Sequence, residues 1–424
     1  MTAGERAIEG FVATARAWLD EHAERRSPTL PRDDGGDGGG GGGEFSVAVF
    51  HDLVDDEERE LLARLRAWAE LKAERGYHAI AAPVEYGGLG LPQEYAQAYA
   101  ELEEGYVLPA SHETYSVTTR LIAPTIMMFG TDEQRRQFVA LFLRAAQLCC
   151  QLFSEPGAGS DLAGLACRAE RDGDEWVING QKVWSSGARF SEWGELIARS
   201  DPNVVKHKGM TAFIIPMDLP GMEIRPIKQM SGGSSFNEVF FNDVRVSDSM
   251  RLGEVGDGWR VALTTLGFER DHTGESNSGR VGGSWLQLVA AARARNVIDE
   301  PMIRQQLASA FIHERIETYS NHRLADLRRL GVPPGPEGSL SKLLWTNRMT
   351  MFSDVISQIL GPSLIADTGE WGTYGWGEHV LGAPGYRIAG GSDEIQRNIL
   401  GERMLGLPVE PRVDKDVPWR DVAR

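Results

Sequence analysis

Glu269 lies in the run Leu266-Gly267-Phe268-Glu269-Arg270. A carboxylate among apolar neighbours titrates above its ordinary range once water is excluded, and can then take a proton at neutral pH. The same Glu-Arg pair near a helix start also reads as a plain structural ion pair. Asp271 and Glu275 are nearby carboxylates that could stand in for it. A second group is Ser154-Glu155-Pro156-Gly157-Ala158-Gly159-Ser160-Asp161, whose glycines let a turn approach a flat ring and whose hydroxyls can donate or accept hydrogen bonds, though by itself it reads as an ordinary Gly-Ser loop. Trp184 and Ser186 form a third. Taken alone, an indole at a strand end is a core residue as readily as a ligand contact. Arg295 offers a forked cation suited to phosphate, and reads almost as readily as a solvated helix charge. Metal chemistry finds no support: no histidine lies in an HExxH pattern, and His272 reads as a solvated ring. Cys149, Cys150 and Cys167 have neither metal-like nor disulfide spacing and read as buried thiols in a reducing compartment.

The composition bounds the setting. The chain has 424 residues, enough for two or three domains, and its 42% apolar and 25% charged content is that of a globular protein. With 44 basic against 61 acidic residues the net charge is −17, which disfavours nucleic acid and anionic lipid surfaces as partners. No apolar run reaches the roughly 18 residues of a membrane span, and the first residues resemble neither a secretory signal nor a transit peptide. A cytoplasmic location is the expectation.

Three textures follow one another along the chain. Helical periodicity opens at Arg6 to Glu24, where Ile8, Phe11, Val12, Ala15, Trp18 and Leu19 share a stripe. Asp33 to Glu44 is a glycine-rich flexible loop; it lacks the strand, the Lys-Ser/Thr ending and the helix of a phosphate cradle. Helices resume near Asp55 and run to about Cys149, with a loop from Pro83 to Pro92 and a capping box at Thr131 and Gln134 ahead of Phe138, Val139, Leu141 and Phe142. From Gln151 to about Val246 strands dominate. Asn179-Gly180 predicts a hairpin turn between Glu175–Ile178 and Gln181–Trp184, and further strands fit Leu196–Arg199, Thr211–Pro216, Met222–Pro226 and Asn237–Phe241. Helices return after Gly256. One ends at Gly361-Pro362, and the last is expected from Ser392 to about Leu405.

Three segments carry a family resemblance. Leu152-Phe153-Ser154-Glu155-Pro156-Gly157-Ala158-Gly159-Ser160-Asp161 resembles the EPGAGSD signature of acyl-CoA dehydrogenases. Asn179-Gly180-Gln181-Lys182-Val183-Trp184-Ser185-Ser186-Gly187 resembles their NGxKxWxT/S signature, and Gly390-Gly391-Ser392-Asp393-Glu394-Ile395-Gln396-Arg397-Asn398 resembles the C-terminal GT/SxEIQRN. The segments occur in family order, and the likeness runs from the first helices to about Pro408.

That resemblance implies an α+β architecture: an N-terminal helical domain (1–148), a middle β-barrel domain (149–254) and a C-terminal four-helix bundle (255–424). It implies FAD, held by Phe153, Ser154, Ser160, Trp184, Ser186, Ser392 and Glu394, with Ser160 and Arg270 also on the substrate side. Arg295 and Gln306 match residues that reach the flavin phosphates of a neighbouring subunit in a homodimer or homotetramer, and Gln358 of SQILG matches one on the adenine side. Two departures stand out: Ile298 replaces a common aromatic and Pro362 replaces a Gly. The implied reaction is α,β-desaturation of an acyl-CoA, as in fatty-acid β-oxidation, with an electron-transfer flavoprotein as acceptor. The family's best-known base stands where this chain has Gly390, whereas other branches carry it on the first helix after the β domain, at Glu269. Two alternatives share the fold: a non-catalytic subunit of a mixed oligomer, and an oxygen-using oxidase or monooxygenase.

Overall fold

The computed structural model describes residues 3–26, 47, 49–50, 53–269, 282–330, 332, 335–366, 373–412 and 414–422. The glycine-rich run 33–44 lies outside them. Helix α1 (Ala3–His22) begins and ends slightly earlier than its apolar stripe predicts, because Glu24–Arg25 leave it to form β1. The order continues with α2 (Asp55–Ala73), α3 (Gln93–Glu103) and β2 (Tyr106–Val107), the antiparallel partner of β1. Four acids fill the first turn of α2, where the exposed amides favour negative charge. The expected loop from Pro83 to Pro92 contains one 3-10 turn at Val84–Tyr86.

Two interrupted rods follow. The first is α4 (Glu113–Ser116), a π turn at Val117–Ile122 and α5 (Ala123–Phe129). The second is α6 (Asp132–Gln134), a π turn at Arg135–Val139 and α7 (Ala140–Leu143). The capping box forms as expected: Thr131 Oγ1 accepts from the Gln134 amide at 3.2 Å, and Gln134 Oε1 accepts from the Thr131 amide at 2.9 Å. Phe138, Val139 and Phe142 are fully buried, while Leu141 is only half-buried.

The middle region is one eight-stranded sheet. Its strands are β3 (Cys149–Leu152), β4 (Arg168–Asp172), β5 (Glu175–Ser186), β6 (Trp193–Arg199), β7 (Met210–Pro216), β8 (Met222–Ile227), β9 (Phe236–Ser247) and β10 (Arg251–Leu252). The order is β10-β7-β6-β4-β5-β9-β8, with β3 parallel to β6. The hairpin expected at Asn179-Gly180 is absent. Those residues lie inside the continuous strand β5, at a bulge in its ladder with β9, and the two-residue turn is Gly173-Asp174 between β4 and β5. Gly180 has φ 148°, and a Cβ there would meet the Cys167 Cα at 2.7 Å, so the glycine serves a close backbone crossing rather than a reversal. The sheet curls until Trp176 on β5 meets Phe213 on β7 edge to face. No ladder between the outer strands β8 and β10 is seen among the described residues, so the barrel-like curl stays open.

Alternation along β6 divides two cores. Leu196 and Ala198 point into the curl with Ile178, Phe213 and Val239, while Ile197 points outward against Ile122, Phe138 and Val261 of the helices. Helix α8 (Gly258–Glu269) packs on that outer side, against β7 and the π turn at Val117–Ile122. The C-terminal bundle is α9 (Trp285–Ala294), α10 (Pro301–Arg329), α11 (Gly338–Leu360) and α12 (Thr373–Tyr386), followed by α13 (Asp393–Ile399). Its core of Leu288, Ile303, Leu307, Phe352 and Trp376 also includes Val47 from the N-terminal side of the chain. The Val47 carbonyl meets His379 Nδ1 at 3.1 Å, and Val49 packs on Met349 and Ala383.

Candidate functional site

The turn after β3 is fixed by a buried ion pair. Glu155 and Ala158 exchange backbone hydrogen bonds of 3.0 Å across Pro156-Gly157. The Glu155 carboxylate accepts from the amides of Ala166 (2.6 Å) and Cys167 (2.9 Å) and from Lys182 Nζ (2.8 Å). Lys182 is fully buried on β5 and also donates to the Phe153 carbonyl at 2.9 Å. Every acceptor of Glu155 is thus engaged, the condition for burying a charge pair without a large penalty. The pair ties the first signature segment to the second, and the Val183 amide donates to the Ser154 carbonyl at 2.9 Å beside it. Ser154 is half-buried and Ser160 exposed, but the Phe153 ring enters the core, so its side chain does not face an open site. The glycines at 157 and 159 have open space where a side chain would begin.

Trp184 is held in an uncommon state. Its φ is 63°, in the left-handed region, at a second bulge between β5 and β9, and it is 59% exposed. Backbone strain of this kind persists only where surrounding contacts impose it, and it clusters at functional sites. The indole lies edge to face on Phe236 at 6.0 Å. Half-buried Ser186 follows, and its carbonyl accepts from Thr114 Oγ1 at 3.3 Å. Behind Thr114 stands a buried chain: the Thr114 amide donates to His112 Nδ1 (3.2 Å), His112 Nε2 meets Glu58 Oε1 (2.9 Å), and Arg189 donates to Glu58 Oε2 (2.6 Å). Burial would raise the Glu58 carboxyl, but His112 and Arg189 outweigh it and hold it below the ordinary range.

Helix α8 carries the expected base. Glu269 is its last residue; the Glu269 side chain, Arg270, Asp271, His272 and Glu275 lie outside the described residues. One turn earlier, Thr265 donates to Glu195 Oε1 at 2.8 Å and meets Thr125 Oγ1 at 3.0 Å. Glu195 is fully buried on β6, and burial pushes its carboxyl up to about 8, with the Thr265 hydrogen bond offsetting part of the rise. At the far end of the chain Gly390 has φ 63°, so a side chain there would be strained by roughly 1–2 kcal/mol. Its carbonyl accepts from Gln396 Nε2 at 2.9 Å. Ser392 caps α13, with Oγ accepting from the Ile395 amide at 3.4 Å, while Glu394 is exposed beside Arg397.

A separate groove of about 590 Å³ runs between α10 and α11, lined by Met302, Gln306, Ser309, Met351, Val355 and Gln358. The sequence-predicted Gln306 and Gln358 meet here, Nε2 to Oε1, at 2.7 Å. Half-buried Arg295 closes the C-terminus of α9. Among the described residues no cluster of three or more metal-ligand side chains occurs, and no helix is long and apolar enough to cross a membrane. The three cysteines are buried, and burial raises all three thiols, as expected of inert core residues.

Residues 46–145, 150–244 and 256–405 match the N-terminal, middle and C-terminal domains of acyl-CoA dehydrogenases. This chain belongs to the acyl-CoA dehydrogenase family. It is 39% identical over 359 residues to acyl-CoA dehydrogenase IpdE1 of Mycobacterium tuberculosis, covering 84% of this chain and 91% of that protein. Among solved structures it is similar to the Tcur3481-Tcur3483 steroid acyl-CoA dehydrogenase, with TM-score 0.73 and 26% identity over 96% of this chain and 98% of that one. The ChsE4-ChsE5 complex of M. tuberculosis is similar at TM-score 0.66 and 26% identity, covering 84% of this chain and 98% of that one.

Acyl-CoA dehydrogenases are FAD-dependent oxidoreductases acting on CH–CH groups. The residues present fit such a group: an exposed indole, an adjacent anchored Ser186 and a turn left open by two glycines. Sequence reasoning passed over Glu58, His112, Arg189 and Glu195. For Glu195 a signal existed, since it is the lone charged residue in the stretch Trp193–Ala198 of β6.

Proposed function

We propose that this acyl-CoA dehydrogenase family member desaturates a bulky, steroid-derived acyl-CoA between its α and β carbons, with Glu269 as the base. The observation carrying the assignment is the pairing of two positions. Gly390, in left-handed backbone, stands where the family resemblance expects a Glu, and α8 ends at Glu269, the residue that would replace it. Glu269 removes the α-proton, and its apolar neighbours Leu266 and Phe268 favour the neutral acid it becomes. Bound FAD supplies the acceptor for the β-hydride. Trp184, Ser154, Ser186, Ser392 and Glu394 contribute packing and hydrogen bonds to it, Phe153 contributes through its backbone, and Ser160 and Arg270 orient the thioester and CoA portion. Arg295, Gln306 and Gln358 serve the nucleotide half across a subunit contact, and an electron-transfer flavoprotein reoxidises the enzyme. The steroid class rests on the Tcur3481-Tcur3483 likeness along nearly the whole chain.

Anaerobic titration with straight, branched and steroid-side-chain acyl-CoAs tests the reading. Bleaching is expected with the bulky substrates. In Glu269→Gln, FAD content stays as in the parent while reduction falls by roughly 10²–10⁴-fold; full-rate reduction in this variant removes Glu269 as base. A second reading is favoured by the names of the two solved relatives, each a pair of chains: this chain acts as one subunit of a mixed oligomer. Bleaching only after addition of a second, different acyl-CoA dehydrogenase chain would select it.

A further inference from the structure

The tail after residue 405 lies beyond all three family matches, yet it returns to the β region. Pro418 bridges Val205 in antiparallel fashion, the Trp419 amide donates to the Val204 carbonyl at 2.9 Å, and the Arg420 amide donates to the Pro202 carbonyl at 3.1 Å. The Trp419 indole donates to the Gly164 carbonyl at 3.3 Å and lies under the Arg199 guanidinium, 4.8 Å from the ring centre. Arg199 is itself buried and donates to the carbonyls of Ala163 (2.6 Å), Leu165 (3.3 Å) and Lys206 (2.6 Å).

Lys206 is the knot. Its buried ammonium binds both carboxylate oxygens of Asp161 (2.9 and 3.0 Å) and Asp414 Oδ2 (2.6 Å). Arg412 adds a contact of 3.3 Å to the other Asp414 oxygen. Burial alone would lower the Lys206 ammonium, but its bonds to Asp414 and Asp161 outweigh that and hold it above its ordinary value. The segment Asp161–Leu165, continuous with Ser160, is therefore gripped at one end by Lys206 and at the other by Trp419, and half of each grip comes from the tail.

We infer that the C-terminal tail is a strap in which Asp414 and Trp419, acting through Lys206 and Arg199, position the Ser160–Leu165 turn for the acyl-CoA. The substrate part of this inference rests on the proposed function, which gives Ser160 to the substrate side. Positioning of this kind affects how well the ground state is held more than the chemical step.

The full-length, FAD-loaded enzyme and its Asp414→Asn, Trp419→Ala and Asp414→Glu variants supply the test. Hydrogen exchange at amides 161–165 and 203–208 is expected to quicken about tenfold in Asp414→Asn and Trp419→Ala, and to stay near the parent rate in Asp414→Glu. KM for a turned-over acyl-CoA should rise roughly three- to tenfold in the first two, with kcat within about twofold and FAD content unchanged. Exchange as slow as the parent's in both variants overturns the strap. Faster exchange with unaltered KM overturns its role towards substrate. If the parent enzyme reacts with no acyl-CoA, the proposed function fails, while hydrogen exchange still decides whether the tail holds the turn.

Discussion

Two buried glutamates on opposite sides of the same sheet have opposite fates. Glu155, under the signature turn, has a lysine and two amides as partners, whereas Glu195, facing α8, has the Thr265 hydroxyl and an Oε2 with no hydrogen-bond partner among the described residues. The first locks two segments together through those three bonds. The second is held neutral by burial, because a single hydroxyl cannot replace the hydration a carboxylate loses. The side under the signature turn is thus secured by an ion pair, and the side under α8 by apolar packing around a protonated acid.

The largest expected effect breaks the first side. Lys182→Met leaves Glu155 buried without its cation and should cost about 3–5 kcal/mol, read as a lower denaturation midpoint. Adding Glu155→Gln to it should restore part of the loss, and no loss in the single variant would mean the pair is dispensable. The second side should respond to pH. The folded protein keeps a proton on Glu195 that the unfolded chain releases between about pH 4.5 and 8, so this residue lowers stability as pH rises through that window. The slope is up to about 1.4 kcal/mol per pH unit. Glu195→Gln should therefore melt higher than the parent at pH 8, with the gap closing towards pH 5; parallel melting curves would show the carboxyl ionised throughout. The smallest effect sharpens the contrast. Thr265→Val removes one hydrogen bond to Glu195 and should cost about 1–2 kcal/mol at neutral pH while extending the same pH dependence to higher pH.

What could be read from sequence follows from the range of the interactions. The Thr131–Gln134 box, the end of α11 at Gly361 and the strand runs near 196–199 and 211–216 depend on residues close in the chain, and they appear as expected. Asn179-Gly180 carries a local turn signal too, but there a long-range crossing by Cys167 determines the backbone, and the strand runs straight through. Signature residues were legible as types in order, while their support was not. Glu58, His112 and Arg189 come from segments as much as 131 positions apart, and no spacing rule brings them together. The tail was unreadable for the same reason, since its partners lie near 161–165 and 202–206.

The insertion of Val47 among Leu288, Phe352 and Trp376 has a consequence for biosynthesis. On a ribosome the chain's early portion emerges long before the bundle it plugs, so that strand of backbone must wait, unclaimed, until α12 is made. A fragment beginning at α9 would lack the plug, leaving an apolar slot and a His379 ring nitrogen without its carbonyl. The last third of this polypeptide therefore completes its core with a residue translated some three hundred positions before α12.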